Sequence, residues 1–324
     1  MKKLIFAIFC LLCGLSASAQ DNLERGRNYY EMQRYQEALP LLQAAAKEGF
    51  GEACYLLGQM YDYGLGAAKN YDVALRMYQR GLEYGYGLGE SELGVLYEFG
   101  QGCEADPRKA VACYEKSHAR GLLPGTYQLA RCCYFGIGMD AADDAKAFAM
   151  FTALVANDDC KFDYPRFYRN ANRILGECYQ KGFGTAPDPK KAVIKYYESR
   201  NPRALYEAAR LVHDFKLPAM GYEYSLKNLM DMAFEGGLQE PKAFYDYAAW
   251  VSEENPDWSV EHLSDRDLSG IFGLLHQVAE GNYGPAQKLL GDWYKAGRGT
   301  AVNLVKAREW YAEAKANGEE VPEL

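Results

Sequence analysis

Apolar and small residues recur along this chain at spacings that predict short amphipathic helices joined by tight turns. The clearest example is a group of three apolar residues at i, i+3 and i+4, which share one helical face: Leu93, Leu96 and Tyr97. This helix is predicted to stop at Gly100-Gln101-Gly102, because glycine adopts the positive φ angles of a tight turn. Asp106-Pro107 then predicts the start of a second helix, since Asp caps exposed amide groups and Pro suits the first helical turn.

The same frame of Leu-Gly, a tyrosine and Gly-x-Gly returns along the chain at nearly regular intervals. Its leucines are Leu57, Leu93, Leu129, Leu175 and Leu290, with Ala130 in place of glycine after Leu129. A repeat of about 36 residues cannot bury its apolar face alone and must stack on its neighbours. We therefore expect an all-α fold, a right-handed α-solenoid of about six to seven helix-turn-helix repeats.

The second helix of each repeat carries an alanine followed four residues later by an aromatic residue. These pairs are Ala74 with Tyr78, Ala110 with Tyr114, Ala147 with Phe151, Ala192 with Tyr196, and Ala307 with Tyr311. A small alanine lets two helices approach closely, and the aromatic ring fills the space beside it. We expect each pair to lie at the contact between the two helices of its repeat.

Leu-Gly-x-x-Tyr, Gly-x-Gly, Asp-Pro-x-Lys-Ala and the helical aromatic residue together resemble the Sel1-like repeat of secreted bacterial proteins, a relative of the tetratricopeptide repeat. The resemblance is clear over residues 52 to about 200 and 285–318. We expect five segments: a signal peptide (1–19), a tetratricopeptide-like helix pair (20–51), four Sel1-like repeats (52–200), degenerate helical repeats (201–264), and a final Sel1-like repeat with a preceding helix and an acidic tail (265–324).

The first residues have the pattern of a secretory signal. Lys2 and Lys3 precede an apolar run of about 12 residues, which is too short to span a bilayer, and Ala17-Ser18-Ala19 forms a small-residue cleavage site. We expect cleavage after Ala19 and a periplasmic or secreted mature protein.

The formal net charge of −8 becomes more negative when the two signal lysines are removed. Nucleic-acid binding depends on Lys and Arg side chains that neutralise phosphates, and here the basic residues are outnumbered and scattered. We expect no nucleic-acid partner and no membrane span. The sequence gives no indication of oligomeric state.

No catalytic or metal-binding pattern is present in the sequence. The four histidines form no H-E-x-x-H pair, and the chain has no phosphate-binding loop. Some secreted relatives are described as weak β-lactamases, but no serine here is followed three residues later by lysine. We expect no cofactor and no enzymatic activity, with an envelope hydrolase as the least favoured alternative.

Seven cysteines follow the signal, and they allow two interpretations. Cys113 on a second helix can meet Cys132 or Cys133 on the next first helix, and export permits disulfides. Alternatively, Cys54, Cys132 and Cys178 are small buried residues of first helices.

The step of 46 residues between Leu129 and Leu175 is about ten longer than the others. The extra residues fall at 157–165, and insertions in solenoids usually lie in loops on one face. We expect an exposed surface loop there.

One aromatic residue stands five positions after the Leu-Gly glycine position in three consecutive repeats: Tyr63, Phe99 and Phe135. These rings form either a platform for a partner or seals over their own Gly-x-Gly turns. Residues one position after the glycine or alanine of the frame vary between repeats and are the other candidate contacts: Gln59, Arg131 and Glu177. The resemblance implies a non-catalytic scaffold for a protein or peptide partner in the cell envelope. A glycan- or peptidoglycan-binding module is the alternative.

Overall fold

The structure is a computed structural model that describes residues 18, 20–218, 220–253 and 263–323. The predicted signal peptide, apart from position 18, lies outside these residues. The described residues form helices joined by turns, with no β-strand among them, which confirms the all-α class. The α-helices are α1 (20–31), α2 (Tyr35–Lys47), α3 (Gly51–Tyr63), α4 (Tyr71–Glu83), α5 (Glu90–Phe99), α6 (Pro107–Ala119), α7 (Leu123–Phe135), α8 (Asp144–Val155), α9 (Asp158–Asp163), α10 (Pro165–Lys181), α11 (Pro189–Ser199), α12 (Pro202–Asp214), α13 (Leu226–Glu235), α14 (Pro241–Ser252), α15 (Asp265–Glu280), α16 (Gly284–Ala296) and α17 (Leu304–Ala316).

The chain divides into two compact units, Met1–Phe167 and Tyr168–Leu324, here called unit 1 and unit 2. The described part of unit 1 holds four helix pairs, from α1 to α8, followed by the short α9. Unit 2 holds four more pairs, from α10 to α17. These eight pairs are close to the six to seven that the period predicts.

The two helices of a repeat meet where a glycine of the first helix faces a tyrosine of the second. A Cβ atom added to Gly94 would stand 2.5 Å from the Tyr114 ring, nearer than side chains pack, and three other repeats show the same approach. These are Gly58 with Tyr78, Gly176 with Tyr196, and Gly291 with Tyr311. All four rings are buried, so the predicted place of the Ala-x-x-x-Tyr pattern at the helix contact is confirmed.

The turn between the two helices is closed by the residue that caps the second helix. The side chain of Asp106 accepts the Lys109 amide N–H at 3.0 Å, and the Asp106 amide donates to the carbonyl of Tyr97 at 2.7 Å. Both bonds recur in the other repeats of this type, whose capping residues are Asn70, Asp143, Asp188 and Asn303. The predicted cap at Asp106-Pro107 is therefore confirmed.

The second glycine of Gly-x-Gly makes the contact with the preceding helix pair. Gly102 has φ of 74°, and a Cβ atom there would lie 2.5 Å from the backbone oxygen of Tyr71, the first residue of α4. Gly66 and Gly138 approach the first residues of α2 and α6 in the same way, and Gly299 approaches Leu268 in α15. Only a residue without a side chain allows main chains of adjacent repeats to come this close.

The extra residues between the third and fourth repeats are mostly exposed, as we expected, but they form a short helix where we expected a loop. They form α9, whose first amides are capped by Asn157 and whose Cys160 is fully buried. The loop prediction was wrong because the Asn157 cap and the buried Cys160 side chain make one helical turn stable here. The remaining residues lengthen the start of α10.

The stretch 201–264 lacks the Gly-x-Gly turn but keeps the helix pairing. The helices α12 and α13 are joined by residues 215–225, which include a short 3₁₀ turn at Tyr222–Tyr224. An apolar core cluster among the described residues of unit 2 extends from Ala192 to Ala307 and includes these helices. Among the described residues, no helix combines the length and apolar character needed to cross a membrane.

The cysteines of unit 1 are packing residues. Cys113, Cys132 and Cys133 are free thiols, which is against the disulfide interpretation and in favour of the buried-cysteine interpretation. Cys54 and Cys132 are fully buried on first helices, as the alternative interpretation expects, and Cys178 is buried on α10. Burial raises the pKa of the Cys132 thiol to about 12, which keeps it protonated and unreactive at neutral pH.

Candidate partner-binding surface

Three aromatic side chains stand exposed at the ends of consecutive first helices in unit 1. Tyr63, Phe99 and Phe135 are the last residues of α3, α5 and α7, and they are 58%, 62% and 54% exposed. Rings that sealed their own turns would be largely buried. Their exposure therefore favours the platform interpretation. We call these three residues the aromatic column.

The helix ends explain why these rings remain uncovered. The residue after each ring is a glycine in the left-handed conformation, Gly64, Gly100 or Gly136, whose amide donates to a carbonyl one turn back. The chain turns away at the glycine, so the turn does not cover the preceding aromatic ring. Large rigid side chains presented in this way offer contact area at low entropic cost.

Gln59 is held by tyrosines on both sides. Its amide oxygen accepts from the Tyr30 hydroxyl at 3.0 Å, and its amide nitrogen donates to the Tyr55 hydroxyl at 2.9 Å. Burial raises the pKa of Tyr30 to about 12, so this hydroxyl stays a donor at neutral pH. These two hydrogen bonds therefore fix the side chain of Gln59, which lies one helical turn before Tyr63 on α3.

Arg131 forms an ion pair with a carboxylate of the same unit. Its guanidinium donates to Glu98 and to Gln128, and the Tyr114 hydroxyl donates to the same Glu98 carboxylate at 2.9 Å. Burial opposes the charge of Arg131, but the hydrogen bond to Glu98 and its negative charge outweigh burial and raise the pKa of the arginine. Arg131 therefore links α7 to α5 and fixes the spacing between the helices that carry Phe99 and Phe135.

Glu177 lies in unit 2, outside the aromatic column. It accepts a hydrogen bond from Arg173 one turn earlier on α10. The position equivalent to Tyr63 in this repeat is Lys181, and in the last repeat it is Ala296. The six candidate residues therefore do not form a single site within one unit.

Two carboxylates beside the aromatic column were missed by sequence reasoning. The pKa of Tyr63 is raised by its partial burial and by the nearby charges of Asp62 and Glu92. Burial also raises the pKa of Glu92, whose carboxylate accepts the Ser91 hydroxyl at 2.7 Å. The residue types at these positions vary between repeats, so the repeat pattern did not predict the two carboxylates. Across the described ranges, no group of three or more His, Cys, Asp or Glu side chains is placed to hold a metal ion.

Comparison with known proteins gives one family match. The sequence model for the Sel1 repeat matches five segments that together cover more than half of the chain: 51–86, 81–121, 124–158, 170–198 and 284–319. No curated protein matches the chain.

Two solved structures share the fold at low sequence identity. A protective antigen present in uropathogenic Escherichia coli strains, which displays an SLR fold, is 23% identical with a TM-score of 0.66, and the match covers 93% of this chain and 62% of the antigen. A Sel1 repeat protein from Oxalobacter formigenes is 21% identical with a TM-score of 0.52, over 95% of this chain and 87% of that one. At these identities the likeness concerns the fold alone. This chain spans less than two thirds of the antigen's length.

Proposed function

Because the chain belongs to the Sel1-repeat family, we propose that it is a non-catalytic exported scaffold that binds a protein or peptide partner in the cell envelope. Sel1-repeat proteins generally mediate protein interactions and are typically not catalysts. The partner surface that we propose is the aromatic column. The hydrogen-bonded side chains of Gln59 and Arg131 stabilise the helices that carry it.

The exposure of the aromatic column is the observation that carries this proposal. Three aromatic rings at equivalent places in successive repeats, each more than half exposed, are more than the folding of the repeats requires. Aromatic side chains are enriched in protein interfaces, where they fill pockets of the partner. Arg131 and Gln59 are already bonded within unit 1, so the column does not need to reorganise to bind.

The proposal also places the chain in the periplasm or outside the cell after cleavage behind Ala19. The support is the charged start, short apolar run and small-residue site of residues 1–19. N-terminal sequencing of the protein recovered from its source cells should give Gln20 as the first residue. A chain that retains Met1 and stays with the cytoplasmic fraction would exclude export.

Affinity capture from envelope extract tests the partner surface. The wild type is compared with a Tyr63→Ala, Phe99→Ala, Phe135→Ala variant. The matched control removes one tyrosine and two phenylalanines that are 69%, 72% and 58% exposed elsewhere, through Tyr222→Ala, Phe162→Ala and Phe215→Ala. We expect a protein that wild type and control both recover and that the column variant loses, with all three chains equal in helical circular dichroism.

Other outcomes of the capture decide between the alternatives. Recovery of peptidoglycan fragments in place of a protein, again lost with the column variant, would replace the protein scaffold with a glycan-binding module. Equal recovery by the column variant and the control would remove the aromatic column from the proposal. Hydrolysis of a cell-wall or β-lactam substrate that a single substitution abolishes would overturn the non-catalytic assignment.

A further inference from the structure

A cleft of about 440 Å³ in unit 2 lies between α10 and α12, within the range of roughly 300–1,000 Å³ that is usual for ligand sites. Its wall contains four cationic side chains, Arg173, Lys181, Arg203 and Arg210, and two acidic ones, Glu177 and Glu207. The cleft is therefore positive in a protein whose formal net charge is −8. We call it the basic cleft.

The two acids of the basic cleft are each paired with an arginine on their own helix. Arg173 donates to Glu177 on α10, and Arg210 donates to Glu207 on α12 at 3.2 Å. Each of these half-buried ion pairs is neutral as a whole, so neither adds net charge to the cleft. The surplus charge of the cleft therefore comes from the other two cations.

Lys181 and Arg203 supply this surplus. Lys181 is exposed, lies over the Phe183 ring and forms no ion pair with a described residue. Arg203 is 62% exposed, and its carboxylate partner is Glu240, which is not part of the cleft wall. Within the described residues Lys181 is therefore an unpaired cation, whereas Arg203 binds an anionic ligand by sharing its guanidinium with Glu240 or by exchanging that partner.

Neutral groups of the wall also offer hydrogen-bond donors. The Tyr196 hydroxyl donates to the amide oxygen of Gln180 at 2.5 Å, which orients the amide nitrogen of Gln180 as a donor. The side-chain oxygen of Asn201 caps the Ala204 amide at 3.0 Å, which leaves the Asn201 amide nitrogen to donate. A wall of cations and N–H donors matches an acceptor-only ligand such as a carboxylate.

We propose that the basic cleft binds carboxylate side chains of an acidic peptide segment in the partner. Charge complementarity is the reason for this choice: one unpaired lysine, together with an arginine whose charge is shared with Glu240, matches one or two carboxylates, but not the continuous phosphate backbone of a nucleic acid. The inference rests on the proposed function because it treats the chain as a partner-binding scaffold. It uses a surface in unit 2 that is independent of the aromatic column.

Fluorescence anisotropy with a labelled peptide of four consecutive glutamates tests the inference on the full chain. The cleft variant is Lys181→Gln, Arg203→Gln, which keeps long side chains and helix propensity. The matched control removes one lysine and one arginine from exposed positions of α17, through Lys315→Gln and Arg308→Gln. We expect the cleft variant to weaken binding roughly tenfold and the control to leave it within about twofold.

Further measurements give this test its specificity. Wild-type binding should weaken as NaCl rises from about 50 mM to about 500 mM, because exposed charges are screened. Restoring positive charge with Lys181→Arg, Arg203→Lys should recover most of the affinity. A matched peptide of four glutamines that binds as well as the glutamate peptide would overturn the proposal. Equal losses of peptide affinity in the cleft variant and the control would also overturn it. The same holds if inorganic phosphate displaces the peptide as effectively as the carboxylates acetate and citrate do.

The aromatic-column variant separates this inference from the proposed function. It should bind the glutamate peptide as the wild type does, because its changes lie in unit 1. Loss of peptide binding by that variant would overturn the independence of the two surfaces. A failed partner capture together with intact, cleft-dependent peptide binding would reject the aromatic column and leave the basic cleft standing.

Discussion

At the residue scale, the repeat depends on the contact between a glycine and a tyrosine. In three repeats the tyrosine hydroxyl donates to the residue four positions after the glycine: Asp62, Glu98 and Gln180. In the last repeat that position is Lys295, which cannot accept, and Tyr311 donates to Asp292 at 2.6 Å instead. The third repeat has Ala130 in place of glycine and Phe151, which has no hydroxyl to satisfy.

Replacing Gly94 with alanine should destabilise the protein by about 1–3 kcal/mol, because the added methyl group would stand 2.5 Å from the Tyr114 ring. Urea denaturation followed by circular dichroism gives the change in the free energy of unfolding. The control is Gly273→Ala on α15, where no atom lies within 4 Å of the new Cβ. This control should raise stability by about 0.5–1 kcal/mol, since alanine favours a helix more than glycine does. Equal effects of the two changes would contradict the role of the glycine contact.

Replacing Glu92 with glutamine should raise the melting temperature at pH 7. Burial raises the pKa of Glu92 above its ordinary value of 4.5, so the folded chain holds a proton that the unfolded chain has released. Stability therefore falls as pH rises from about 4.5 through the folded pKa, and glutamine removes this loss. The gain should disappear below about pH 4.5, where both states are protonated.

The pH series of melting temperatures needs a control for loss of negative charge alone. Glu115→Gln removes a carboxylate from an exposed position of α6 in the same unit and should leave the melting temperature nearly unchanged. A Glu92→Gln gain that persisted unchanged at pH 4 would contradict the assignment to the buried carboxylate.

At the element scale, the two glycines of one Gly-x-Gly turn are required for different structural reasons. Gly64 ends α3 in the left-handed conformation, and a Cβ atom there would have 3.6 Å of room. Gly66 is also left-handed, but a Cβ atom there would stand 2.6 Å from Tyr35 Cβ and 2.7 Å from its backbone carbon. The first glycine needs only its backbone angle, whereas the second also needs the absence of a side chain.

Asparagine tolerates the left-handed conformation but has a side chain, so it separates the requirement for a backbone angle from the requirement for space. Gly66→Asn should cost roughly 1–3 kcal/mol more than Gly64→Asn, because only the former forces α2 away from the turn. Chemical denaturation of both variants measures the difference. Similar losses would show that backbone angle alone explains the Gly-x-Gly pattern.

Most helices were predictable because their limits are set by local chemistry. A left-handed glycine ends α5 after Phe99, and the Asp106 side chain with Pro107 starts α6, and both signals are visible in the sequence. The short α9 was not predicted, because an isolated turn of helix depends on burying Cys160 against its surroundings. Residues 215–225 likewise have no repeated turn signal.

The candidate site was predictable only in part. The aromatic column was predictable because its three residues occupy the same position of successive repeats. Its exposure was not, because that depends on how the turn after each ring folds. Gln59 and Arg131 bond to partners that are 29 and 33 residues away in the sequence. Spacing along a single helix therefore did not predict these bonds. The basic cleft combines α10 with α12, and only tertiary packing places Lys181 and Arg203 in one wall.

At the scale of the whole molecule, the two units differ in how continuous their cores are. In unit 2 one continuous cluster of buried apolar residues extends through the described residues from Ala192 to Ala307. In unit 1 the described residues include separate clusters, one from Leu23 to Met60 and another from Ala74 to Leu96. Repeats that share a cluster lose more contacts when one of them opens, so they are expected to open together.

Native-state hydrogen exchange should reveal this difference. We expect the amides of α12 and α14 to be among the best protected and to exchange together, because both helices contribute to the continuous cluster of unit 2. Helix α1 should exchange earlier, because only two of its residues, Leu23 and Gly26, are buried. Equal protection of α1 and α14 would contradict this expectation.

The second glycine of each turn has a consequence for how such a chain can change during evolution. It rests against main-chain atoms at or near the start of the preceding second helix, as at Tyr71, Pro107 and Leu268. Every amino acid supplies those atoms, so this joint does not depend on the side chains of the adjoining repeat. Duplication or exchange of a whole repeat therefore keeps this backbone joint intact, and only the side-chain contacts between repeats, such as the Arg131–Glu98 pair, have to be matched again.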